Sequence, residues 1–176
     1  MKIVKVPFSG GSMGRNLGCE KAPDAILNEL GIEDAVEMQF KNEDLNELSK
    51  LENIEGDIFI GGDHSISYWT IKNFVKRYKN PGIIILDAHF DCENYFKPPT
   101  HEDFIRVLVK DKIVKKENLI FVGVRKWSKD EIEFIESNKI KYFRADVAGK
   151  DLNLVIEELN KLINKIDAVY LSIDID

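Results

Sequence analysis

Aspartate and histidine side chains follow three apolar segments of the sequence, at the point where each segment ends. The three polar segments are Gly61–Ser65 (GGDHS), Asp87–Asp91 (DAHFD) and Asp174–Asp176 (DID). In an open parallel sheet, ligands bind beyond the carboxyl ends of the strands. The sequence therefore predicts one site at these strand ends, with six candidate metal ligands: His64, Asp87, His89, Asp91, Asp174 and Asp176.

The spacing within two of these segments favours metal ligation. Side chains alternate in an extended chain, so Asp87, His89 and Asp91 would point one way, as would Asp174 and Asp176. Four carboxylates this close repel one another unless cations neutralise them. Two divalent ions would balance the four charges and polarise a bridging water as hydroxide. We therefore predict a hydrolytic site with two metal ions.

The ligand types favour one metal, and the joint pattern favours ligation over ordinary structural roles. Oxygen-rich ligation with two imidazoles suits manganese, although zinc, nickel, cobalt and iron are compatible with the same ligand types. A single Asp at a strand end usually caps a helix or forms a turn. Capping does not require an Asp-x-His-x-Asp segment together with an Asp-x-Asp segment on another strand.

Short apolar runs alternate with longer segments of helical period, which is the pattern of β-α-β units. This predicts an α/β protein, with a mostly parallel sheet between two layers of helices. The chain shows neither a linker nor a repeat, so we predict that residues 1–176 belong to a single domain. The predicted strands are Lys2–Val6, Asp57–Ile60, Gly82–Leu86, Leu119–Val124, Lys141–Phe143 and Ala168–Ile173.

Helix signals lie between these strands. Pro23–Leu30 begins with Pro in the first turn and is followed by Gly31. Ser128–Glu131 has the pattern of a capping box. Two periodic apolar faces predict further helices. One face consists of Ile66, Trp69, Phe74 and Tyr78, and the other of Leu152, Val155, Ile156, Leu159, Leu162 and Ile163.

Composition and charge exclude several classes of protein. The net charge is −6 and the basic residues are scattered, which argues against a nucleic-acid partner. Lys5 interrupts the first apolar segment, and no apolar run approaches the ~20 residues of a membrane span, so we expect neither export nor membrane insertion. Cys19 and Cys92 stand apart from each other, which indicates reduced thiols and a cytoplasmic protein.

At these motifs the sequence resembles the arginase and agmatinase family of ureohydrolases. The resemblance implies an arginase-like α/β fold and covers essentially the whole chain. The family's three metal motifs are matched in order by Gly61–Ser65, Asp87–Asp91 and Ser172–Asp176. Further similar segments are Val6–Phe8, Gly18, Ala22–Ile26 and Val122–Arg125.

The resemblance implies a manganese-dependent hydrolase with two ions per chain and a small cationic guanidino substrate. A metal-bridging hydroxide would attack the guanidinium carbon, and Asp91 would relay a proton to the leaving nitrogen, releasing urea and an amine. The family also implies a homo-oligomer. Its ligand arrangement would assign His64 and Asp91 to one ion, His89 and Asp176 to the other, and Asp87 and Asp174 to both.

His101 matches the region in which family members place a proton-shuttling His-Gly pair. Glu102 follows it here, and Thr100–Asp103 also has the pattern of a helix start, so the catalytic and the loop interpretations of His101 both stay open. Asp63 is expected to orient the glycine-rich turn or a neighbouring ligand. Cys92 has no evident base beside it and is expected to be a packing thiol.

Family members continue beyond the third motif, through a Thr-x-Glu segment whose carboxylate holds the guanidinium. We therefore expect the domain to be incomplete at its C-terminus and residues 1–176 alone to have little activity. Glu93–Pro99 lacks the Ser/Asn-rich stretch that grips arginine, which favours an agmatine-like substrate. Two alternatives remain: a single-zinc amide hydrolase related to the deacetylases, and a non-catalytic or reduced metal-binding relative of the family.

Overall fold

The computed structural model describes residues 1–15, 18–41 and 43–175. Short 3-10 helices lie at Gly10–Ser12, Cys19–Lys21, Leu45–Asn53 and Lys116–Asn118. The remaining elements, in chain order, are β1 (Ile3–Val6), α1 (Ala22–Leu30), β2 (Val36–Glu37), β3 (Ile58–Gly61), α2 (Ile66–Val75), β4 (Pro81–Leu86), α3 (Phe104–Lys110), β5 (Leu119–Val124), α4 (Lys129–Ser137), β6 (Lys141–Arg144), α5 (Ala145–Lys150), α6 (Leu152–Ile163) and β7 (Ala168–Ile173).

The chain forms two compact units, the first of which comprises Met1–Asn73 and Phe96–Phe104. Its sheet has the strand order β2-β1-β3, and both pairings are parallel. The strand β2 consists of two exposed residues, which is too weak an apolar signal to predict from the sequence. The core of this unit contains Val4, Val6, Phe8, Leu48, Leu51 and Ile66.

The second unit comprises Phe74–Tyr95 and Ile105–Asp176. Its sheet has the strand order β6-β5-β4-β7, and every pairing is parallel. Central strands of a parallel sheet are buried on both faces and therefore consist of nearly continuous apolar residues. One core cluster of this unit joins the sheet to α6 and consists of Ile84, Ile120, Phe143, Val155 and Leu162.

The predicted α/β class with parallel strands is confirmed. The strands lie in two sheets, whereas the sequence predicts one. Apolar runs indicate where strands are, but they carry no information about which strands pair. Among the helices that the described residues form, none has both the length and the apolar character that a membrane span requires.

Three helix ends follow the expected capping chemistry. At the start of α4, Glu131 N donates to Ser128 Oγ at 3.1 Å, and Ser128 N donates to the Glu131 carboxylate at 2.9 Å, which confirms the capping box. Gly31 ends α1 with a φ of 64°, a left-handed conformation that glycine adopts without strain. Leu154 N donates to the Asp151 carboxylate at 3.1 Å at the start of α6.

Candidate metal centre

Two predicted ligands lie side by side at the ends of neighbouring strands. Leu86 at the end of β4 is opposite Ile173 at the end of β7, so Asp87 and Asp174 follow paired positions. Asp174 N donates to Leu86 O at 2.9 Å, which continues the ladder past the strands. Carboxylate oxygens of Asp87 and Asp174 lie within 4.8 Å of each other. Carboxylates this close favour a bound cation, and oxygen ligands suit Mn²⁺, so these donors fit a divalent ion.

The backbone around Asp87 is held by β5. Asp87 N donates to Val122 O at 3.1 Å. The next residue of β5, Gly123, has a φ of 100° at a register shift in the β5–β6 pairing. A residue with a side chain would be strained in this conformation. Because Gly123 permits this irregularity, the strand can pass close to the backbone of a predicted metal ligand.

The segment after Asp87 bends and does not continue as a strand. His89 N donates to Asp87 Oδ1 at 2.7 Å, which closes a turn, and the φ of Asp91 is 49°. The strict side-chain alternation expected from an extended chain therefore does not hold here. Burial still alternates, because Phe90 and Cys92 are buried whereas His89 and Asp91 are partly exposed.

His89 and Cys92 have different surroundings in the segment after β4. His89 Nδ1 lies 3.6 Å from Asp87 Oδ1, so the imidazole is next to a predicted bridging ligand. Cys92 is fully buried, and burial raises the pKa of its thiol. A buried thiol of raised pKa is protonated and inert, which agrees with the packing role expected from the sequence.

The predicted ligand Asp176 lies outside the described residues.

In the first unit, the glycine-rich turn places His64 between β3 and α2. The His64 ring packs on Phe104 with the ring centroids 4.7 Å apart. The buried Asp63 carboxylate accepts hydrogen bonds from Ser65 N at 2.9 Å and Ser12 N at 3.1 Å. Burial raises the pKa of Asp63, against the opposing effect of the Ser65 hydrogen bonds. Asp63 therefore holds the turn that carries His64, as the sequence suggested.

His101 lies in the first unit, in the segment that precedes α3. Its backbone N donates to Gly11 O at 3.3 Å. Its Nε2 is 3.8 Å from Glu102 Oε1, and the Glu102 carboxylate forms an ion pair with Arg15. Glu102 therefore brings a paired carboxylate next to the imidazole.

Asp103 is a buried carboxylate next to this segment. One of its oxygens accepts a hydrogen bond from Thr100 N at 2.7 Å. Burial raises the pKa of Asp103 above its ordinary 3.8, although hydrogen bonds from Thr100 oppose the shift. The Asp103 carboxyl group therefore binds its proton more tightly in the folded protein than in the unfolded chain.

We expect Asp103 to make the metal-free protein less stable as pH rises. At pH values between 3.8 and the raised pKa of Asp103, the folded state binds more protons than the unfolded state. The free energy of unfolding therefore falls with increasing pH in this range. Asp103→Asn keeps an acceptor for Thr100 N and removes the titration. Urea denaturation of both proteins from about pH 4 to about pH 7 should show that the variant gains stability relative to the parent as pH rises. A difference that is constant with pH would contradict this prediction.

Sequence reasoning missed two side chains that hold the segment next to Asp91. Arg106 Nε donates to Cys92 O, and Cys92 N donates to the Glu131 carboxylate at 3.2 Å. The capping box identifies Glu131 as a helix-start residue but does not indicate this second partner. No sequence signal links Arg106 to Cys92, because the contact depends on the position of α3 beside the loop.

Comparisons with known proteins match these motifs to one family. A model of the arginase family matches residues 32–176. The arginase of Staphylococcus aureus (strain COL) is 30% identical over an alignment of 144 residues that covers 73% of this chain and 48% of that protein. The formimidoylglutamase of Halalkalibacterium halodurans is 32% identical over an alignment of 124 residues that covers 68% of this chain and 39% of that protein.

A solved structure supports the fold independently. The formimidoylglutamase from Bacillus subtilis subsp. subtilis str. 168 aligns with a TM-score of 0.84 at 23% identity, over 99% of this chain and 64% of that chain. At this identity the likeness establishes the fold. The chain spans about half the length of curated relatives such as the S. aureus arginase, at 48%. The family match extends over most of the sequence, and the chain therefore belongs to the arginase family.

Proposed function

We propose that the protein is a manganese-dependent hydrolase that cleaves a small cationic guanidino compound to urea and an amine. The observation that carries this proposal is the pair of carboxylates, Asp87 and Asp174, at the ends of two paired parallel strands. Membership of the arginase family supports the same chemistry. The net charge of −6 favours the approach of a cationic substrate.

The proposed site holds two Mn²⁺ ions per chain. When bound, the ions would polarise a shared water as the nucleophile. Asp91 would accept a proton and deliver it to the leaving nitrogen, and His101 would exchange protons with solvent. The proposed ligands of one ion are His64 and Asp91, those of the other are His89 and Asp176, and Asp87 and Asp174 belong to both.

Among guanidino compounds, we propose an agmatine-like substrate. The segment Glu93–Pro99 after the second motif lacks Ser and carries one Asn, so it offers few hydroxyl or amide groups to an amino acid end. Tyr95 and Phe96 in this segment are 41% and 51% exposed, so aromatic surface is available here instead. These features support a substrate tail without an amino acid group.

The test is an assay of the protein at its natural length, loaded with Mn²⁺, with metal content measured on the same sample. We expect two manganese ions per chain and release of urea from agmatine, with arginine, guanidinobutyrate and formiminoglutamate as comparison substrates. One tightly held zinc with amidase activity would instead indicate a deacetylase-like hydrolase. Bound metal without turnover of any of these compounds would indicate a non-catalytic relative.

We expect His101→Ala to keep the metal content and to slow hydrolysis. A residue that exchanges protons outside the metal coordination typically contributes about 10²- to 10⁴-fold to the rate, so we expect a loss in that range. Metal analysis and turnover should be measured on one preparation. Loss of metal would make His101 a ligand, and unchanged turnover would make it an ordinary loop residue.

We also propose a homo-oligomer located in the cytoplasm. Cys19 and Cys92 are both free thiols, and burial raises the pKa of Cys19 to about 11. Thiols without a disulfide partner are typical of a reducing compartment. The proposed homo-oligomer has its own test. Light scattering coupled to size-exclusion chromatography would give the mass of the assembly, and a mass equal to that of one chain would contradict the homo-oligomer.

A further inference from the structure

The peptide group between Asp91 and Cys92 is held at both ends. Asp91 O accepts a hydrogen bond from Ile105 N at 3.1 Å, at the start of α3. Cys92 N donates to Glu131 Oε1 at 3.2 Å, at the start of α4. A peptide anchored through both its oxygen and its nitrogen cannot rotate without breaking one of these bonds, so the direction of the chain at Asp91 is fixed.

The conformation of Asp91 needs such anchoring. Its φ of 49° lies in the left-handed region, which residues with a side chain adopt rarely, although Asp tolerates it better than most. Conformations of this kind persist where surrounding contacts over-determine them, and they are common at functional sites. The hydrogen bonds from Ile105 and to Glu131 restrain the peptide that follows Asp91 and so help to hold this geometry.

Glu131 uses both carboxylate oxygens for backbone N–H groups. One oxygen accepts from Cys92 N and the other accepts from Ser128 N at 2.9 Å. The residue is 8% exposed, so both bonds are largely shielded from water. Charged acceptors form stronger hydrogen bonds than neutral ones, particularly when buried. Glu131 therefore ties the loop after β4 rigidly to the first turn of α4.

Arg106 holds the same loop from α3. Its Nε donates to Cys92 O, and a terminal nitrogen donates to Asp130 O at 3.3 Å. The guanidinium lies over the Phe134 ring, 4.4 Å from the centroid. The N–H and the C=O of Cys92 are thus both bonded to charged side chains, one from each helix.

We propose that Glu131, assisted by Arg106, is a positioning residue for Asp91. The inference rests on the proposed function, in which the Asp91 carboxylate binds a metal ion and carries a proton. A carboxylate aimed by a fixed peptide loses little freedom when it binds an ion, so the affinity for that ion depends on Glu131. Glu131 acts through the backbone, since its two carboxylate oxygens accept from Cys92 N and Ser128 N.

The experiment compares Glu131→Gln with Ser128→Ala. The glutamine has one acceptor oxygen and cannot accept from both N–H groups. Ser128→Ala removes the helix cap and the hydrogen bond from Ser128 Oγ to the Glu93 carboxylate at 2.6 Å, but it leaves the Glu131 carboxylate free to hold Cys92 N. Hydrogen exchange of the Cys92 amide, followed by NMR on metal-free protein, and titration with Mn²⁺ are the two measurements. Circular dichroism checks that each variant is folded.

We expect Glu131→Gln to speed hydrogen exchange of the Cys92 amide. We also expect it to lower the affinity for one of the two manganese ions by about 10- to 100-fold, which is the usual effect of losing a residue that orients a ligand. Ser128→Ala should keep the Cys92 exchange rate and the affinity close to those of the parent. If Glu131→Gln does not fold, Arg106→Met takes its place, because it removes the hydrogen bond to Cys92 O and keeps apolar packing on Phe134.

The possible outcomes separate this inference from the proposed function. Two manganese ions in the parent with unchanged affinity in the Glu131 variant would overturn the positioning role and leave the hydrolase proposal intact. Equal losses of affinity in the Ser128 and Glu131 variants would also overturn it, since the effect would then come from the helix cap or from the Ser128–Glu93 hydrogen bond and not from the bond between Glu131 and Cys92 N. A parent that binds no manganese would overturn the proposed function, while exchange at Cys92 would still report whether Glu131 anchors the loop.

Discussion

Replacing Phe90 by Ala should lower the free energy of unfolding by ~3–5 kcal/mol, the cost typical of removing a fully buried aromatic ring. Phe90 is 0% exposed and lies between His89 and Asp91. Its ring packs edge-on against Phe121 and Tyr142, with centroid separations of 5.4 and 5.2 Å. Removing the ring would leave a cavity that these neighbours cannot fill completely. Urea denaturation of the metal-free protein would measure the loss.

Phe96→Ala is the matched control for this change. Phe96 lies a few residues further along the chain and is 51% exposed, so its removal should change stability by about 0.5 kcal/mol or less. Equal effects of the two substitutions would mean that the Phe90 ring does not anchor the loop. A small effect of Phe90→Ala alone would show that neighbouring side chains close the cavity.

Asp87→Asn should remove at least one manganese ion and abolish most hydrolysis. The amide keeps an oxygen that can accept from His89 N, as Asp87 Oδ1 does at 2.7 Å, so the turn should survive. It removes the charge that, under the proposed function, both ions share. Metal ions supply several kcal/mol of transition-state stabilisation, so we expect a fall of roughly 10³-fold or more in kcat/KM. Elemental analysis and the urea assay measure the two effects.

Asp146→Asn provides the control for loss of an aspartate charge. Asp146 pairs with Arg144 at 2.9 Å on the surface of α5, and its side chain is 52% exposed. This variant should keep both the parent's metal content and its activity. Unchanged metal content in Asp87→Asn, or one tightly held ion in the parent, would reject the binuclear site.

The amino-acid sequence alone predicts most of the strands and the residues that follow them. β5 and β7 have the predicted bounds, and β1, β3, β4 and β6 differ from the prediction by one residue at one or both ends. Most of these strands are identifiable because they are short, largely apolar runs, as in the buried β4, and the break in that pattern marks the strand end. Asp87 and Asp174 could be identified as candidates in this way, since each directly follows such a break.

Tertiary structure alone decides which of these ends become neighbours and how the loops beyond them are held. The approach of Asp87 to Asp174 results from the pairing of β4 with β7, although two strands lie between them in the chain. The left-handed Asp91 and the second hydrogen bond of Glu131 depend on α3 and α4 packing beside the loop. Hydrophobic periodicity is a local property of the chain, whereas strand pairing and buried hydrogen bonds join residues far apart in sequence. The sequence therefore identifies the candidate ligands, and the fold sets the geometry in which they lie.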